Sequence, residues 1–362
     1  MKKKQSILFI TPYPKGKAPS QRFRFEQYLD FLALDFSIEE HAFWDNKSWD
    51  NLYKGSNLIL KIYSFIFAFF KRFLLLFSVS KFDYIFIHRE ATPVGPPFVE
   101  FIIAKVLNKK IIYDFDDAIW IHNVSDKNKA VKYLKSNWKV KYICKWSYKV
   151  VCGNHFLASY AQKQNKNVVV IPTTIDLNYH KKPIVSKPVK TTIGWTGTHS
   201  TLKHLNIIIP IIEKLEEKFD FDFIIISDKK PNFKLKSLKF IKWTKETEIE
   251  DLAKIDIGIM PLYDSEWEKG KCGFKGLQYM SLAIPTVMSP VGVNTEIITT
   301  NVNGFLAQSE QEWVSILSEL IEDQELRTRI GKAGEKTIEF NYSVKANQSK
   351  FLGLFKELKS AF

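Results

Sequence analysis

Residues 255–298, IDIGIMPLYDSEWEKGKCGFKGLQYMSLAIPTVMSPVGVNTEII, read as strand, loop, helix and strand in close succession. Ile255–Leu262 is an apolar run interrupted by Pro261, which suits a buried strand. A polar loop with Lys269, Gly270, Lys271 and Gly273 follows, then a short helix over Phe274–Leu282 and a second buried strand over Ile284–Met288. The loop therefore lies at a strand's C-terminal end, just ahead of a helix. Free backbone N–H groups and the positive end of the helix dipole favour an anion there, and small residues let it approach closely. In an open parallel sheet this edge carries the ligand, and a phosphate or diphosphate is the natural candidate. The same pattern also serves as plain α/β punctuation with solvated lysines. It is not a P-loop, because no Gly-Lys-Ser/Thr closes it.

The rest of the chain repeats the alternation. In the first half, Ile7–Ile10, Phe82–His88, Ile111–Phe115, Lys149–Val151 and Val168–Ile171 read as strands. Residues 179–190, YHKKPIVSKPVK, are proline- and lysine-rich without periodicity and read as a linker. A second series follows: Thr192–Trp195, a helix over Thr201–Lys218, Phe221–Ser227, Phe240–Trp243, a helix over Glu248–Lys254, and then the 255–298 unit. Beyond Phe305 the chain reads as helical. Strands alternating with helices in both halves predict an α/β protein of two doubly wound parallel sheets. The length of 362 residues suits two cores.

Net charge is +14, which favours anionic ligands or surfaces such as phosphorylated substrates, acidic lipid or nucleic acid. Cys144, Cys152 and Cys272 fit no zinc spacing, and an odd count suits a reducing compartment. The apolar stretch after Met1 is too short for a signal peptide, which points to a cytoplasmic chain. Leu58–Ser80 is the most apolar segment. It reads as a core helix, a helix lying in a membrane interface, or a span, the last opposed by Lys61, Lys71 and Arg72. Residues 127–149 carry eight lysines and no acid, interleaved with Trp138 and Trp146, which suits an anionic membrane face, RNA or plain solvation.

Three further sets stand near strand ends. Pro19 and Ser20 read as the start of a helix capped by Ser20 or a neighbour, with Arg22 and Arg24 in its first turn, where cations oppose the dipole. That misfit suggests that they face an anionic substrate. Asp114, Asp116 and Asp117 cluster past a strand, where mutual repulsion is expected to raise their pKa values. Arg89 follows the preceding strand, in His88-Arg89-Glu90.

With these segments in hand, the chain resembles the retaining glycosyltransferases of family 4, in the GT-B architecture of two Rossmann-like domains facing a cleft. The resemblance rests on residues 11–28, on IIYDFDDAIW at 111–120, on IPTTID at 171–176, on IGWTGTHST at 193–201 and on GKCGFKGLQYMSLAIPTVMSPVGVN at 270–294. It implies an N-terminal acceptor domain at 1–180, a linker at 181–190, a nucleotide-sugar domain at 191–340, and a helix at 341–362 packing back on the first domain.

The resemblance implies transfer of a sugar from a nucleotide diphosphate to an acceptor hydroxyl with retention, and no metal or other cofactor. It places the donor nucleotide and its phosphates at Gly197, Thr198, His199, Lys271, Cys272, Gly273, Phe274, Lys275 and Gln278, the last through its amide on the ribose hydroxyls. It gives catalytic weight to Lys271 and Lys275 as cations beside the leaving diphosphate, and to Asp116 and Asp117 near the acceptor. Ser20, Arg22, Arg24, Arg89 and Glu268 are acceptor or cleft candidates. Relatives often carry glutamates where Gly270 and Gln278 stand; Glu268 is a possible substitute for the first. The implied partners are a nucleotide sugar and a glycan or lipid-linked acceptor at an anionic membrane, peripheral on the cytoplasmic face of the inner membrane, with no nucleic acid. A catalytically silent scaffold binding membrane or RNA, and a non-hydrolysing nucleotide-sugar epimerase, are the competing readings; the lack of GxGxxG argues against a nicotinamide enzyme.

Overall fold

The computed structural model describes residues 4–53, 57–121, 136–183 and 190–356. They form two compact units, one built up to Thr173 and again from Gln348, the other from Thr174 to Asn347. Each contains one six-stranded, all-parallel sheet with helices between its strands. The division falls ahead of the proposed linker: residues 174–183 belong to the second unit, and residues 184–189 lie outside the described residues. Backbone hydrogen bonds from Ile175 to Tyr342 (2.8 Å) and from Val344 to Ile175 (3.0 Å) tie that segment to the end of the same unit.

In the first unit the strand order is β2 (Phe36–Ala42), β1 (Gln5–Thr11), β3 (Tyr84–His88), β4 (Lys110–Phe115), β5 (Lys149–Cys152) and β6 (Val168–Val170). The central strands are buried almost throughout, as expected for a parallel sheet covered on both faces. The chain order reverses between β1 and β3, so their carboxyl ends flank the switch point. Residues 348–356 complete this core. Phe351 stacks on Tyr28 at 4.3 Å, Phe355 packs among Phe9, Phe36, Tyr84 and Phe86, and the Lys149 ammonium donates to the carbonyls of Gly353 and Leu354, each at 3.0 Å. Residues 357–362 of the proposed terminal helix are outside the described residues, as are residues 127–135 of the basic stretch.

The Leu58–Leu75 helix is not a core helix. It turns Ser64, Ala68, Arg72 and Leu75 inward and leaves most of its large apolar side chains outside. Arg72 fixes that orientation. Its guanidinium donates to the carbonyls of Thr11 and His41, both at 3.0 Å, at the ends of β1 and β2. Burial lowers its pKa to about 9, with Glu100 opposing. Among the described residues no helix is long and apolar enough to cross a membrane.

In the second unit the order is β12 (Phe305–Leu306), β11 (Thr286–Met288), β10 (Ile257–Met260), β7 (Thr192–Gly197), β8 (Asp222–Ser227) and β9 (Leu238–Lys242). The switch point lies between β7 and β10. The helix expected over Thr201–Lys218 is divided into a 3-10 stretch, His199–Ile207, and an α-helix, Ile209–Glu216. Pro210 lies at the start of the second piece, where its missing N–H costs nothing. Strands β2 and β12 escaped the sequence reading. β2 is a half-exposed edge reading FSIEEHA, and β12 has only two residues.

Candidate functional site

The second unit gathers its chemistry at the β7/β10 switch point. β7 ends at Gly197, where a Cβ would come within 2.4 Å of the Trp195 ring and 2.8 Å of the Thr201 hydroxyl. The backbone must therefore stay bare for the loop to fold over Trp195. In that loop the Thr198 and Ser200 hydroxyls share a hydrogen bond of 2.8 Å. The backbone N–H and Nδ1 of His199 both meet Asp228, the residue after β8, at 2.6 Å. Burial pushes the Asp228 carboxyl up, but the His199 side-chain and backbone hydrogen bonds more than offset this and hold it below its ordinary range.

After β10, the loop leads to the Phe274–Ser281 helix. Gly273, its N-cap, has φ of 68°, a left-handed conformation that favours glycine, and brings no capping side chain of its own. No acid lies in that turn; Lys275 does. Lys275 Nζ sits 5.6 Å from the centroid of buried Trp195, and Lys271 Nζ sits 5.2 Å from that of Trp267. Two ammonium groups over indole faces thus stand beside a helix N-terminus, a locally electropositive arrangement. Lys271, Phe274 and Lys275 are each half-buried, while Cys272 is buried with its thiol toward the Gly270 carbonyl.

Two sequence candidates in this unit face inward. Gln278 is 3 % exposed and its amide lies 3.3 Å from the His180 ring, so it is not presented to a nucleotide ribose. Its helix buries every residue from Gly276 to Ser281. Glu268, also 3 % exposed, accepts from the Ser265 hydroxyl and lies 3.4 Å from Lys203 Nζ and 3.3 Å from His204 Nε2. It therefore orders its own loop, rather than replacing a carboxylate at Gly270. Burial depresses the His204 pKa to about 4; Glu268 opposes this, and Lys275, Lys203 and Lys271 reinforce it. His204 Nε2 thus faces the Glu268 carboxylate, and its buried Nδ1 has no hydrogen-bond partner among the described residues. Indole partners for the lysines, Asp228 and His204 were not picked out from the sequence. Of these only Asp228, directly after a strand, carried a usable signal.

In the first unit, Asp114 ends in a buried network. Arg24 donates to it, and His88 Nδ1 lies 2.7 Å from its other oxygen. Arg24 also donates to the Ile171 carbonyl. With its side chain 1 % exposed, Arg24 is a structural ion and not a substrate contact. The helix containing it spans only Pro19–Arg24, so Arg22 and Arg24 occupy its last turn, not its first. Its N-cap is Ala18, and half-buried Ser20 lies inside the helix instead of capping it. Arg22 lies over the Phe23 ring at 4.9 Å.

Asp114 does push the Asp116 carboxyl up, as the sequence suggests, but nearby cations outweigh it, and both groups end below their ordinary range. Arg89, at φ 59°, reaches Asp116 with Nε at 2.8 Å and Asp117 with Nη2 at 2.6 Å. Burial pushes Asp116 up, but Arg89 above all, then His88 and Arg24, bring it below its ordinary range. Asp114 is also pushed up by burial and brought down by Arg24 and His88. Asp116 and Asp117 are cross-braced by one guanidinium, an arrangement suited to orienting a hydroxyl. Among the described residues no group of three or more His, Cys, Asp or Glu side chains is arranged to hold a metal ion.

Residues 190–323 match the family model described as Glycosyl transferases group 1. No curated protein matches the chain. Among solved structures the fold is similar to a glycosyltransferase from Rickettsia africae, with 16 % identity, TM-score 0.71 and 100 % of both chains covered. It is also similar to sucrose-phosphate synthase from Thermosynechococcus elongatus, with 11 % identity, TM-score 0.75, and 99 % of this chain and 100 % of that one covered. HepE from Anabaena in complex with UDP aligns with 13 % identity and TM-score 0.62, over 96 % of this chain and 99 % of that one. At such identities the likeness establishes architecture: two Rossmann-like α/β domains of GT-B type.

Proposed function

We propose that the protein is a glycosyltransferase that takes a sugar from a nucleotide diphosphate and passes it, with retention, to an acceptor hydroxyl. The observation that carries this reading is the pair Lys271 and Lys275, set over Trp267 and Trp195 beside the Gly273–Phe274 helix start. These residues lie inside the segment that matches the glycosyltransferase family model. As the glycosidic bond breaks, negative charge grows on the leaving diphosphate, and cations and backbone N–H groups already in place stabilise it there. The lysines supply charge that a divalent cation supplies in other transferases. Retention then proceeds by front-face substitution, the leaving phosphate helping to take the acceptor proton. Asp116 and Asp117, braced by Arg89, serve to position the acceptor or to assist weakly as a base. The acceptor is a glycan or lipid-linked glycan of the cell envelope, met by a cytoplasmic protein at the inner membrane's inner face.

The test is a panel of nucleotide sugars, read first by the rise in melting temperature and then by transfer. UDP is the first ligand to try, because HepE is described in complex with it. Lys271→Ala and Lys275→Ala are each expected to lower turnover by about 10²–10³, the scale of losing one charge-stabilising donor, with chelator leaving the wild type unchanged. Full activity in both variants, or no nucleotide sugar bound by the wild type, overturns the assignment. Epimerised donor formed without acceptor would identify an epimerase instead.

A further inference from the structure

We propose that the first unit docks on an anionic lipid bilayer through the outer face of the Leu58–Leu75 helix, and that an adjoining apolar cavity takes up one hydrocarbon chain from that bilayer. The inference deepens the membrane setting given above, but its test needs no turnover.

The helix carries its polarity inside out. Ile59, Ile62, Ile66, Phe70, Phe73 and Phe77 recur every three or four residues and are between 51 % and 76 % exposed. They form one continuous apolar stripe that reaches just past the helix end. The opposite face, with Ser64, Ala68 and Arg72, is the one held to the protein. An 18-residue helix is about 27 Å long, enough to lie along a membrane surface as an interfacial helix does.

Beside the stripe lies a cavity of about 470 Å³, within the range of ligand pockets, ~300–1,000 Å³. Phe69, Phe73 and Leu76 line one side; Val94, Phe98 and Ile102 are among its other walls. Its polar lining residues are tied to the protein: Arg72 to the Thr11 and His41 carbonyls, and the Thr92 hydroxyl to the Val94 carbonyl. Phe73 belongs both to the stripe and to the cavity wall, so the two are continuous. Exposed Phe98 stands at the far side, and Phe101 continues the apolar surface to Trp146 at 5.3 Å. Tyr142 and Trp138 extend that row of rings, with Lys141 and Lys145 exposed beside them.

Charge selects the occupant. Residues 58–80 contain no acid, and half-buried Lys61 flanks the stripe, able to reach headgroups while its stem covers apolar surface; half-buried Lys71 is paired with Asp45 at 3.3 Å and contributes no net charge there. Exposed Lys105 adds to the same sign. Two-fold pairing of this surface with a second copy would set lysines against lysines, whereas an anionic bilayer answers both the apolar stripe and the cations.

The full chain is mixed with vesicles of phosphatidylcholine containing about a third phosphatidylglycerol, and with pure phosphatidylcholine vesicles, and sedimented. Binding to the anionic vesicles, weakened by salt, is expected, and the exposed-site double variant Ile66→Asp/Phe70→Asp should lose at least ~10-fold in affinity. For the cavity, the probe is cis-parinaric acid. Saturable fluorescence enhancement is expected in the wild type, falling at least ~10-fold in Val94→Trp, which fills the space while vesicle binding persists. Vesicle binding unchanged in the double variant, or self-association in vesicle-free buffer that the double variant abolishes, overturns the docking face. Parinarate binding unchanged in Val94→Trp overturns the cavity. Nucleotide binding measured on the same samples should be wild-type throughout, which separates failure here from failure of the donor site.

Discussion

Replacing Arg24 by Met removes one member of a fully buried ion pair and leaves its shape roughly in place. Arg24 and Asp114 are each 1 % exposed. Without the guanidinium, Asp114 keeps only His88 at 2.7 Å, and the Ile171 carbonyl loses a donor. Removing one partner of a buried pair costs about 3–5 kcal/mol, because the remaining charge stays desolvated. At ~2–4 °C per kcal/mol for a unit of this size, the first unit should melt about 6–20 °C lower at pH 7.

The pH dependence sharpens the test. In the wild type the folded pKa of Asp114 lies below its unfolded value, so the pair's contribution is complete above the unfolded value, ~3.9, and disappears only as pH falls through the lower folded one. In the variant, burial acts with Arg24 absent, Asp114 takes up a proton at higher pH, and the destabilisation is relieved. The gap between wild type and variant should therefore narrow steadily from pH 7 towards pH ~4. Scanning calorimetry is the assay, with a transition fitted for each unit. Adding Asp114→Asn to the variant should cost less than the sum of the two single changes, since the partners are in contact. A variant melting within about 2 °C of wild type at pH 7, or a gap indifferent to pH, refutes the reasoning.

Further perturbations probe the second unit. A Cβ on Gly331 would lie 2.1 Å from the Ala283 carbonyl oxygen, so Gly331→Ala should destabilise by about 1–3 kcal/mol in urea unfolding; an unchanged midpoint would show that the helix can shift at no cost. His204 titrates near 4 when folded and 6.5 when free, so the unfolded state binds its proton first, and stability is lost as pH falls between those values. At ~1.4 kcal/mol per unit the loss approaches ~3 kcal/mol. His204→Gln should flatten that slope, and an identical slope in the variant would assign it to other groups.

Strand and loop positions were legible because buried parallel strands are short apolar runs and their carboxyl ends are marked by Gly, Asp and Pro. Ile257–Met260 and Tyr84–His88 stood out for that reason, whereas β2 alternates and has an exposed edge, so its pattern is weak. The nature of each side chain at those ends was legible, but its direction was not. Sequence placed Arg24, Gln278 and Glu268 beside a ligand, yet each turns into its own unit to meet Asp114, His180 or Ser265. The interleaving of Arg24 and Arg89 with the aspartates, which lowers Asp114 and Asp116 where the sequence suggested a rise, depends on pairings between residues up to 90 positions apart. The position of Lys271 and Lys275 at the start of their helix was legible because the loop and helix that hold them are local in sequence.

Phe351 and Phe355 bear on how the chain is made. They fill an aromatic slot formed by Phe9, Tyr28, Phe36, Tyr84 and Phe86, residues synthesised long before them. The whole of Thr174–Asn347 leaves the ribosome in between. At ~5–20 residues per second that interval is about 10–35 s. During it the N-terminal sheet holds an unfilled apolar groove while the second unit, continuous in sequence, is free to fold to completion. Translation order and folding order are thus inverted: the domain that starts first finishes last, and its nascent groove is where a chaperone would bind.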